Sequence, residues 1–359
     1  MGVFDKDLEP VSAGVVIGCD DLAPTLTFYT EVLGFRVQTI HPADGPTHVT
    51  LIGHGLRIHL QPGSTPLAVL RILLPHGSPL LHSTLTAPNG TIIECVSSTK
   101  EMNVPTLASA LVITHQDGTD SWGTGRAGMM YRDLIPGRQG NAVIASSIRI
   151  DNAGPVPDYV HFHEVLFQLI FCRSGWVRVL YEDQGDSFVL GAGDCVIQPP
   201  TIRHRVLESS DNLEVLEIGY PAEHFTHADP LTQLPSVAIN PARTWSGQSF
   251  IRHTASQATW TPFGEQALIT DTKIHQATQG LADVCIIKSE SAASWPNTFV
   301  AEKQLTFLFV LQGSATVITN ENGSHPLSSG SSIVIPCCDS YSVTQSAGTE
   351  ILRFNLQTQ

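Results

Sequence analysis

The sequence HFHEVLFQ at residues 161–168 is followed at residues 193–204 by GDCVIQPPTIRH, and these two stretches decide the fold. His161 and His163 are separated by one residue, so on an extended strand both imidazoles lie on the same face. His204 lies on a separate strand-like segment further along the chain. Three neutral imidazoles that converge from the strands of a barrel would bind a borderline transition metal. We therefore predict that this region is the working centre of the protein.

Composition excludes several classes of partner. With 359 residues, 42% of them hydrophobic, the chain is long enough for two or three domains with sizeable cores. A net charge of −14 argues against nucleic acid, whose phosphates require a basic face, and against an anionic membrane surface. The seven Cys form no Cys-x-x-Cys pair, which is typical of reduced intracellular thiols. Since there is also no apolar leader and no run of about 18 apolar residues, we expect a cytoplasmic protein with no membrane partner.

Residues 126–228 predict a small β-barrel. Short strand-like stretches are separated by turns such as Gly154-Pro155 and Ser174-Gly175. The predicted strands are Ala142–Ile150, Tyr159–His163, Gln168–Cys172, Trp176–Tyr181, Ser187–Leu190, Cys195–Pro199, His204–Glu208 and Leu213–Tyr220. This number of strands at this spacing indicates a double-sheet jelly roll or small barrel.

Two motifs in this segment resemble those of the cupin superfamily. The first cupin motif is similar to Pro157-x3-His161-x-His163-x4-Gln168-x6-Gly175. The second is similar to Gly193-Asp194-x4-Pro199-x4-His204. Because the two motifs occur at the proper separation, residues 126–228 are identified as a metal-binding cupin domain.

The resemblance implies that His161, His163, Gln168 and His204 hold one divalent metal per chain. Fe(II) is the metal expected first, with Zn(II), Ni(II) or Mn(II) as alternatives. Cupins more commonly have Glu at the position of Gln168, and a neutral amide is a weaker ligand or none. The metal would then keep its full positive charge, so we expect a substrate that is an anionic oxygen chelator. The alternative is a closed structural metal site or an empty barrel.

Further residues are expected around the metal. Aromatic and apolar candidates for the substrate pocket are Phe167, Ile170, Trp176 and Tyr181, with core packing as the alternative. Tyr131 and Arg132 lie on the segment that leads into the barrel, and we expect them to cover its mouth. Together with Gln168, which would tune the metal or bind the substrate, they form the predicted catalytic set.

Residues 229–359 repeat the pattern of the first barrel. Phe250–His253 is similar to Met130–Asp133, and the interval from Thr306 to Gly313 matches that from Gln168 to Gly175. Gly330-x5-Pro336 repeats Gly193-x5-Pro199, so the chain resembles a bicupin. The positions that correspond to the metal ligands are occupied by Phe299, Ala301, Thr306 and Tyr341. We therefore predict a second, metal-free cupin domain that supports the first by sheet-to-sheet packing.

Residues 1–100 resemble the glyoxalase/bleomycin-resistance (vicinal oxygen chelate) fold. The similarity lies in Asp21-Leu22, in residues 28–35 and in residues 89–94. A strand over Val11–Cys19 and a helix from Leu22 to Leu33 begin a predicted β-α-β-β-β module.

This module is expected to lack activity of its own. Active members of the glyoxalase family bind metal through a His or Gln on the first strand and a Glu on the last, and this chain has Gly14 and Glu94 there. Such sites are also built from two modules, whereas one is present. We expect a role in dimerisation or in shielding the neighbouring domain. Residues 101–125 are predicted to be a linker or an arm that crosses to the next domain.

The fold class is therefore mainly β, with a βαβββ module followed by two jelly-roll domains. By family analogy, we expect a dioxygenase that uses O2 to cleave a small phenolic, diketone or hydroxyketone substrate chelated to the metal. A metal-dependent isomerase, cyclase or lyase without redox chemistry is the first alternative, and a small-molecule sensor is the second. A homodimer is expected because the module and the sheets leave faces and edges to be covered.

Overall fold

The computed structural model describes residues 14–41, 47–63, 69–74, 78–97, 102, 104–116, 122–125, 129–229, 231–301 and 304–357. The chain divides into two compact units, residues 1–101 and residues 102–359. Most of the described secondary structure is β-strand, as the sequence predicts.

The first unit contains the predicted β-α-β-β-β order. Its first sheet is formed by Val15–Cys19, Arg36–His41, His48–Gly53 and Leu56–Pro62, with Val15–Cys19 parallel to Leu56–Pro62. A second sheet is formed by Val69–Leu74, Thr84–Thr86 and Ile92–Ser97. The helix Leu22–Thr27 begins where the Asp21 carboxylate accepts a hydrogen bond from the Ala23 amide, and it continues as a π-helical turn over Phe28–Val32. Residues 11–13 of the predicted first strand lie outside the described residues.

The second unit begins with a barrel of two sheets. Among the described residues, the larger sheet has the order Ile251–His253, Cys195–Ile197, Phe167–Ser174, Leu213–Tyr220, Ile144–Ile150, Met130–Asp133, Gly123–Thr124. The smaller sheet has the order Phe188–Gly191, Trp176–Tyr181, His204–Ser209, His161–His163, Thr226–Ala228, with Gly154–Pro155 also paired to His204–Ser209. All eight strands predicted for this barrel are present. Gly175 makes the turn after Phe167–Ser174 with a φ of 72°, a conformation that favours glycine.

A second barrel repeats this arrangement. Its larger sheet has the order Thr261–Pro262, Ala267–Asp271, Ala282–Ser289, Thr349–Gln357, Gln304–Gln312, Ser332–Ile335, Val112–Thr114. Its smaller sheet has the order Ala293–Ser294, Ser340–Gln345, Ser314–Thr319, Gly323–Ser328, with Phe299–Val300 also paired to Ser340–Gln345. The remaining short elements are the helices Arg138–Asn141 and Ile274–Ala277, the 3-10 turn Ala255–Gln257 and the hairpin Thr244–Trp245/Gln248–Ser249.

The segment that precedes each barrel adds an edge strand to the larger sheet of the other barrel. Val112–Thr114, within the segment predicted as a linker or arm, pairs with residues 332–334 of the second barrel. Ile251–His253 pairs with Cys195–Ile197 of the first barrel. Ile251–His253 and Val112–Thr114 therefore occupy equivalent edge positions in the two larger sheets. The predicted correspondence of residues 250–253 with Met130–Asp133 is wrong. A similarity over four residues is too short to fix the register of a repeat.

The two larger sheets pack against each other through a shared apolar core. Phe167, Leu169 and Phe171 of the first barrel are buried in one cluster with Phe307 and Phe354 of the second. The rings of Phe167 and Phe354 are stacked with centroids 5.3 Å apart. The alternate residues of the same strand, Gln168 and Ile170, face the interior of the first barrel.

The structure contains no helix, among the residues it describes, that is long and apolar enough to cross a membrane.

The packing between the barrels predicts that Phe167→Ala strongly destabilises the folded protein. Loss of the buried ring should lower the free energy of unfolding by about 3–5 kcal/mol. Leu231→Ala is the control, because Leu231 is 92% exposed and its truncation should change the free energy by less than about 0.5 kcal/mol. Urea denaturation followed by tryptophan fluorescence measures both values. Equal stability of the two variants would contradict this account of the interface.

Candidate metal centre

Three histidines converge inside the first barrel. His161, His163 and His204 are buried, and their ligand nitrogen atoms all lie within 4.8 Å of one another. His161 and His204 are directly paired across two antiparallel strands, and His163 lies on the same face of its strand as His161. Such a group of imidazoles can hold a metal ion.

Hydrogen bonds orient all three rings. The Nδ1 atom of His161 lies 2.8 Å from the Tyr159 carbonyl, and that of His204 lies 3.0 Å from the Ile202 carbonyl. The Nδ1 atom of His163 lies 2.8 Å from the Thr226 hydroxyl. A carbonyl only accepts, so Nδ1 of His161 and His204 carries the proton, and the lone pair of each ring lies on Nε2. Bonds of this kind fix the tautomer and angle of metal-binding histidines.

Gln168 is oriented by a carboxylate. Its side-chain nitrogen donates a 2.5 Å hydrogen bond to Glu217, which lies on the neighbouring strand. Since an ionised carboxylate only accepts, the amide nitrogen must face Glu217 and the amide oxygen must face away. That oxygen is buried and has no hydrogen-bond partner among the described residues. It is therefore an acceptor available to a metal or a ligand.

This donor set fits a divalent transition metal. Three imidazole nitrogens and one amide oxygen are borderline and hard donors, which together suit iron, zinc, nickel or manganese. The unpartnered Gln168 oxygen supports the same conclusion, because a buried acceptor without a partner costs about 1–3 kcal/mol. A metal held by these donors would have room for further ligands from the cavity.

The histidines line a cavity of about 290 Å³. Much of its wall is aliphatic, formed by Ile144, Ile148, Ile150, Ile170, Val177, Val179, Val206, Leu213 and Val215. Its polar wall is formed by His161, His163, His204, His224, Gln168, Gln198, Glu217, Thr226, Tyr131 and Tyr181. The volume is suited to one ring with small substituents.

Side chains alternate between the two faces of each strand, so only two of the four residues predicted for the substrate pocket line the cavity. Ile170 and Tyr181 line the cavity, whereas Phe167 and Trp176 do not. Phe167 points into the core between the barrels. Trp176 precedes Val177, which faces inward, so the indole points out of the barrel.

The same alternation separates Tyr131 from Arg132. Tyr131 lines the cavity, as expected for a residue near its mouth. Arg132 is absent from the cavity wall; it is buried and donates a 2.9 Å hydrogen bond to the Gly330 carbonyl of the second barrel. The structure therefore gives Arg132 a contact between the barrels, and Gln168 and Tyr131 are the predicted catalytic residues that it brings to the cavity.

Three polar residues of the cavity were missed from the sequence: Glu217, Gln198 and Thr226. Glu217 could have been found, because it interrupts the apolar strand Leu213–Tyr220 at a position in phase with Val215. His224 lies with its ring 5.4 Å from that of His163, whereas His227 points away and pairs with Glu164.

Tyr181 is a buried hydroxyl beside the metal site. It is stacked on His204 with ring centroids 5.5 Å apart, and its oxygen accepts a 2.7 Å hydrogen bond from Gln198. Burial raises the pKa of Tyr181 well above its ordinary value, so the hydroxyl keeps its proton. Burial also raises the pKa of Cys172 to about 12, which makes this thiol of the barrel core a neutral packing group.

The strands of the second barrel pair in the same register, but the positions that correspond to the metal ligands hold no histidine. Phe299 pairs with Tyr341 as His161 pairs with His204, and Thr306 pairs with Asn355 as Gln168 pairs with Gly219. The rings of Phe299 and Tyr341 are stacked with centroids 5.5 Å apart. Aromatic side chains thus occupy two of the three positions that the first barrel gives to imidazoles.

In the first unit, the expected ligand positions serve other contacts. A Cβ atom on Gly14 would lie only 2.7 Å from the His59 ring, so that imidazole fills the space of a side chain there. Glu94 forms a 2.7 Å ion pair with Arg71. Neither residue belongs to a possible metal cluster among the described residues.

Solved structures show the fold of the second unit. Salicylate 1,2-dioxygenase from Pseudaminobacter salicylatoxidans is 14% identical, with a TM-score of 0.50 over 71% of this chain and 86% of that one. A variant of that enzyme in complex with gentisate has a TM-score of 0.51 at 14% identity, over 71% and 84%. A variant of Bacillus subtilis oxalate decarboxylase has a TM-score of 0.51 at 11% identity, over 73% and 80%. The second unit has the bicupin fold. At this identity the likeness concerns the fold alone.

A family model covers part of the first unit. Residues 13–69 match the Glyoxalase/Bleomycin resistance protein/Dioxygenase superfamily, which agrees with the predicted glyoxalase-like module before the bicupin. No curated protein matches the chain in sequence.

The geometry predicts that metal binding depends on the three histidines. A variant with His161, His163 and His204 all changed to Ala should lose its stoichiometric metal, because the ligand nitrogens are removed. Elemental analysis after purification without added metal measures this loss, and circular dichroism checks the fold. His227→Ala is the matched control and should keep the metal. Wild-type metal content in the triple variant would contradict the assignment.

Proposed function

We propose that the protein is a mononuclear metal enzyme that acts in its first barrel on a small substrate with two chelating oxygen atoms. The observation that carries the proposal is the convergence of three oriented histidines and the unpartnered Gln168 oxygen on one cavity. The favoured reaction is oxygen-dependent cleavage of a ring or a C–C bond. Fe(II) is the favoured metal.

When bound, the metal would supply Lewis acidity and, if it is iron, reactivity toward O2. His161, His163 and His204 would hold it. The Gln168 oxygen would complete the donor set or accept a hydrogen bond from the substrate. Tyr181 keeps its proton while Gln198 donates to its oxygen, so its hydroxyl can donate to a substrate oxygen.

The cavity restricts the substrate by size and polarity. About 290 Å³ is enough for a single ring or a short dicarbonyl compound. The aliphatic wall favours an apolar body, and the polar groups lie at the metal site and near Tyr181. Phenolic, diketone and hydroxyketone compounds combine such a body with an oxygen chelate.

The fold neighbours agree with this class of chemistry. One is named a salicylate 1,2-dioxygenase, and a variant of it was solved with gentisate, so this fold can host dioxygenation of a small phenolic compound. The proposal also includes a cytoplasmic location and a homodimer, which rest on the composition and on the exposed sheet edges.

A non-redox lyase, isomerase or cyclase is the second candidate. Oxalate decarboxylase, which is by name a lyase, has a similar fold. In that case the metal would act only as a Lewis acid.

Oxygen uptake tests the proposal. Fe(II)-loaded protein should consume O2 with a member of a panel of β-diketones, hydroxyketones and dihydroxyaromatic compounds. His161→Ala should show no uptake, and His227→Ala should behave as wild type, since His227 lies away from the cavity. Turnover by Zn(II)-loaded protein without oxygen would favour the second candidate. Failure of the wild-type chain to bind any transition metal would overturn both.

A further inference from the structure

We infer that the metal cavity selects against substrates that carry a carboxylate outside the metal chelate, and that Glu217 sets this preference. The inference rests on the proposed function and narrows its substrate class to neutral compounds, such as hydroxyketones and diketones, that bind through one anionic oxygen. It concerns a residue to which the cupin motifs assign no role.

Glu217 places a negative charge inside the barrel. On the strand Leu213–Tyr220, residues 213, 215 and 217 line the cavity, while Leu216 and Ile218 are buried between the barrels. The partner of the Glu217 carboxylate is the neutral amide of Gln168 at 2.5 Å. This contact holds the carboxylate next to the metal site without neutralising it.

The described part of the cavity wall is poor in basic side chains. Among the described residues that line it there is no Lys and no Arg. The arginines on nearby strands point elsewhere: Arg132 binds the Gly330 carbonyl, Arg173 pairs with Glu214, and Arg203 pairs with Asp229. A substrate carboxylate would therefore find no ammonium or guanidinium group in the described wall, where the basic side chain outside the three-histidine site is His224.

Negative charge already lies at the metal site. Glu217 lines the cavity, and the buried Asp158 carboxylate lies 3.6 Å from Nδ1 of His161. A ligand that chelates the metal through one deprotonated oxygen adds one further negative charge. A ligand with a further carboxylate leaves an uncompensated negative charge in a largely apolar cavity, which is strongly unfavourable.

The polar groups of the cavity suit a neutral substituent. The cavity offers the Tyr181 hydroxyl as a donor and the Gln168 oxygen as an acceptor, which suit a neutral hydroxyl substituent.

Two hydroxypyrones test the inference. Kojic acid and comenic acid present the same chelating hydroxyketone on the same ring, but the first carries a hydroxymethyl group where the second carries a carboxylate. Zn(II)-loaded full-length protein should bind kojic acid roughly tenfold or more tightly than comenic acid, since juxtaposed like charges cost several kcal/mol. Isothermal titration calorimetry measures both dissociation constants without turnover.

Two variants test whether Glu217 causes the preference for kojic acid over comenic acid. In Glu217→Gln the ratio of the two constants should fall roughly fivefold or more, because the amide keeps the shape and removes the charge. Glu223→Gln is the matched control: Glu223 is exposed and absent from the cavity wall, so the ratio should equal that of wild type.

The possible failures are distinguishable. If wild-type protein holds zinc but binds comenic acid as tightly as kojic acid, the inference is overturned and the proposed function stands. An unchanged ratio in Glu217→Gln removes the role of Glu217. If Glu217→Gln fails to hold zinc, the wild-type ratio alone decides the substrate class. If the wild-type chain holds no zinc or other transition metal, the proposed function fails as well.

Discussion

The pleat of the strand Phe167–Ser174 is the constraint on which the rest of the structure depends. Neighbouring residues point to opposite faces, so one strand serves two environments. Gln168 and Ile170 face the cavity, whereas Phe167 and Leu169 pack against the second barrel. A shift of one residue would bury the Gln168 amide among aromatic rings. The second barrel thus holds the register of a strand that carries a candidate metal ligand, although none of its described residues lines the cavity.

The two barrels share the same strand pairing but have different side chains at the equivalent positions. The stacked rings of Phe299 and Tyr341 stand where the first barrel has His161 and His204. The position of Glu217 is occupied by Arg353, because Leu308 pairs with Arg353 as Ile170 pairs with Glu217. The Arg353 guanidinium lies 5.5 Å from the centre of the Phe299 ring, a cation–π distance. Identical pairing therefore gives a polar cavity in one barrel and an aromatic packing arrangement in the other.

The sequence predicts the fold better than the cavity. Spaced motifs and turns located the eight strands of the first barrel, and the pair of histidines at alternate positions required a shared face. Phe167 and Trp176 were misplaced because their chemistry suggested a pocket, although the strand period sends them outward. Glu217 was missed because its contact with Gln168 joins positions 49 residues apart, which no local pattern shows. The strand exchange was also invisible, since it depends on pairing between the two barrels.

The central claim is that one metal is held by the three imidazoles of His161, His163 and His204. X-ray absorption spectroscopy of the protein loaded with one equivalent of Zn(II) tests it most directly. The account predicts a shell of nitrogen and oxygen atoms at about 2.0–2.2 Å, with outer-shell scattering from three imidazole rings and no sulfur ligand. Scattering from one imidazole or none, or a sulfur shell near 2.3 Å, would contradict it.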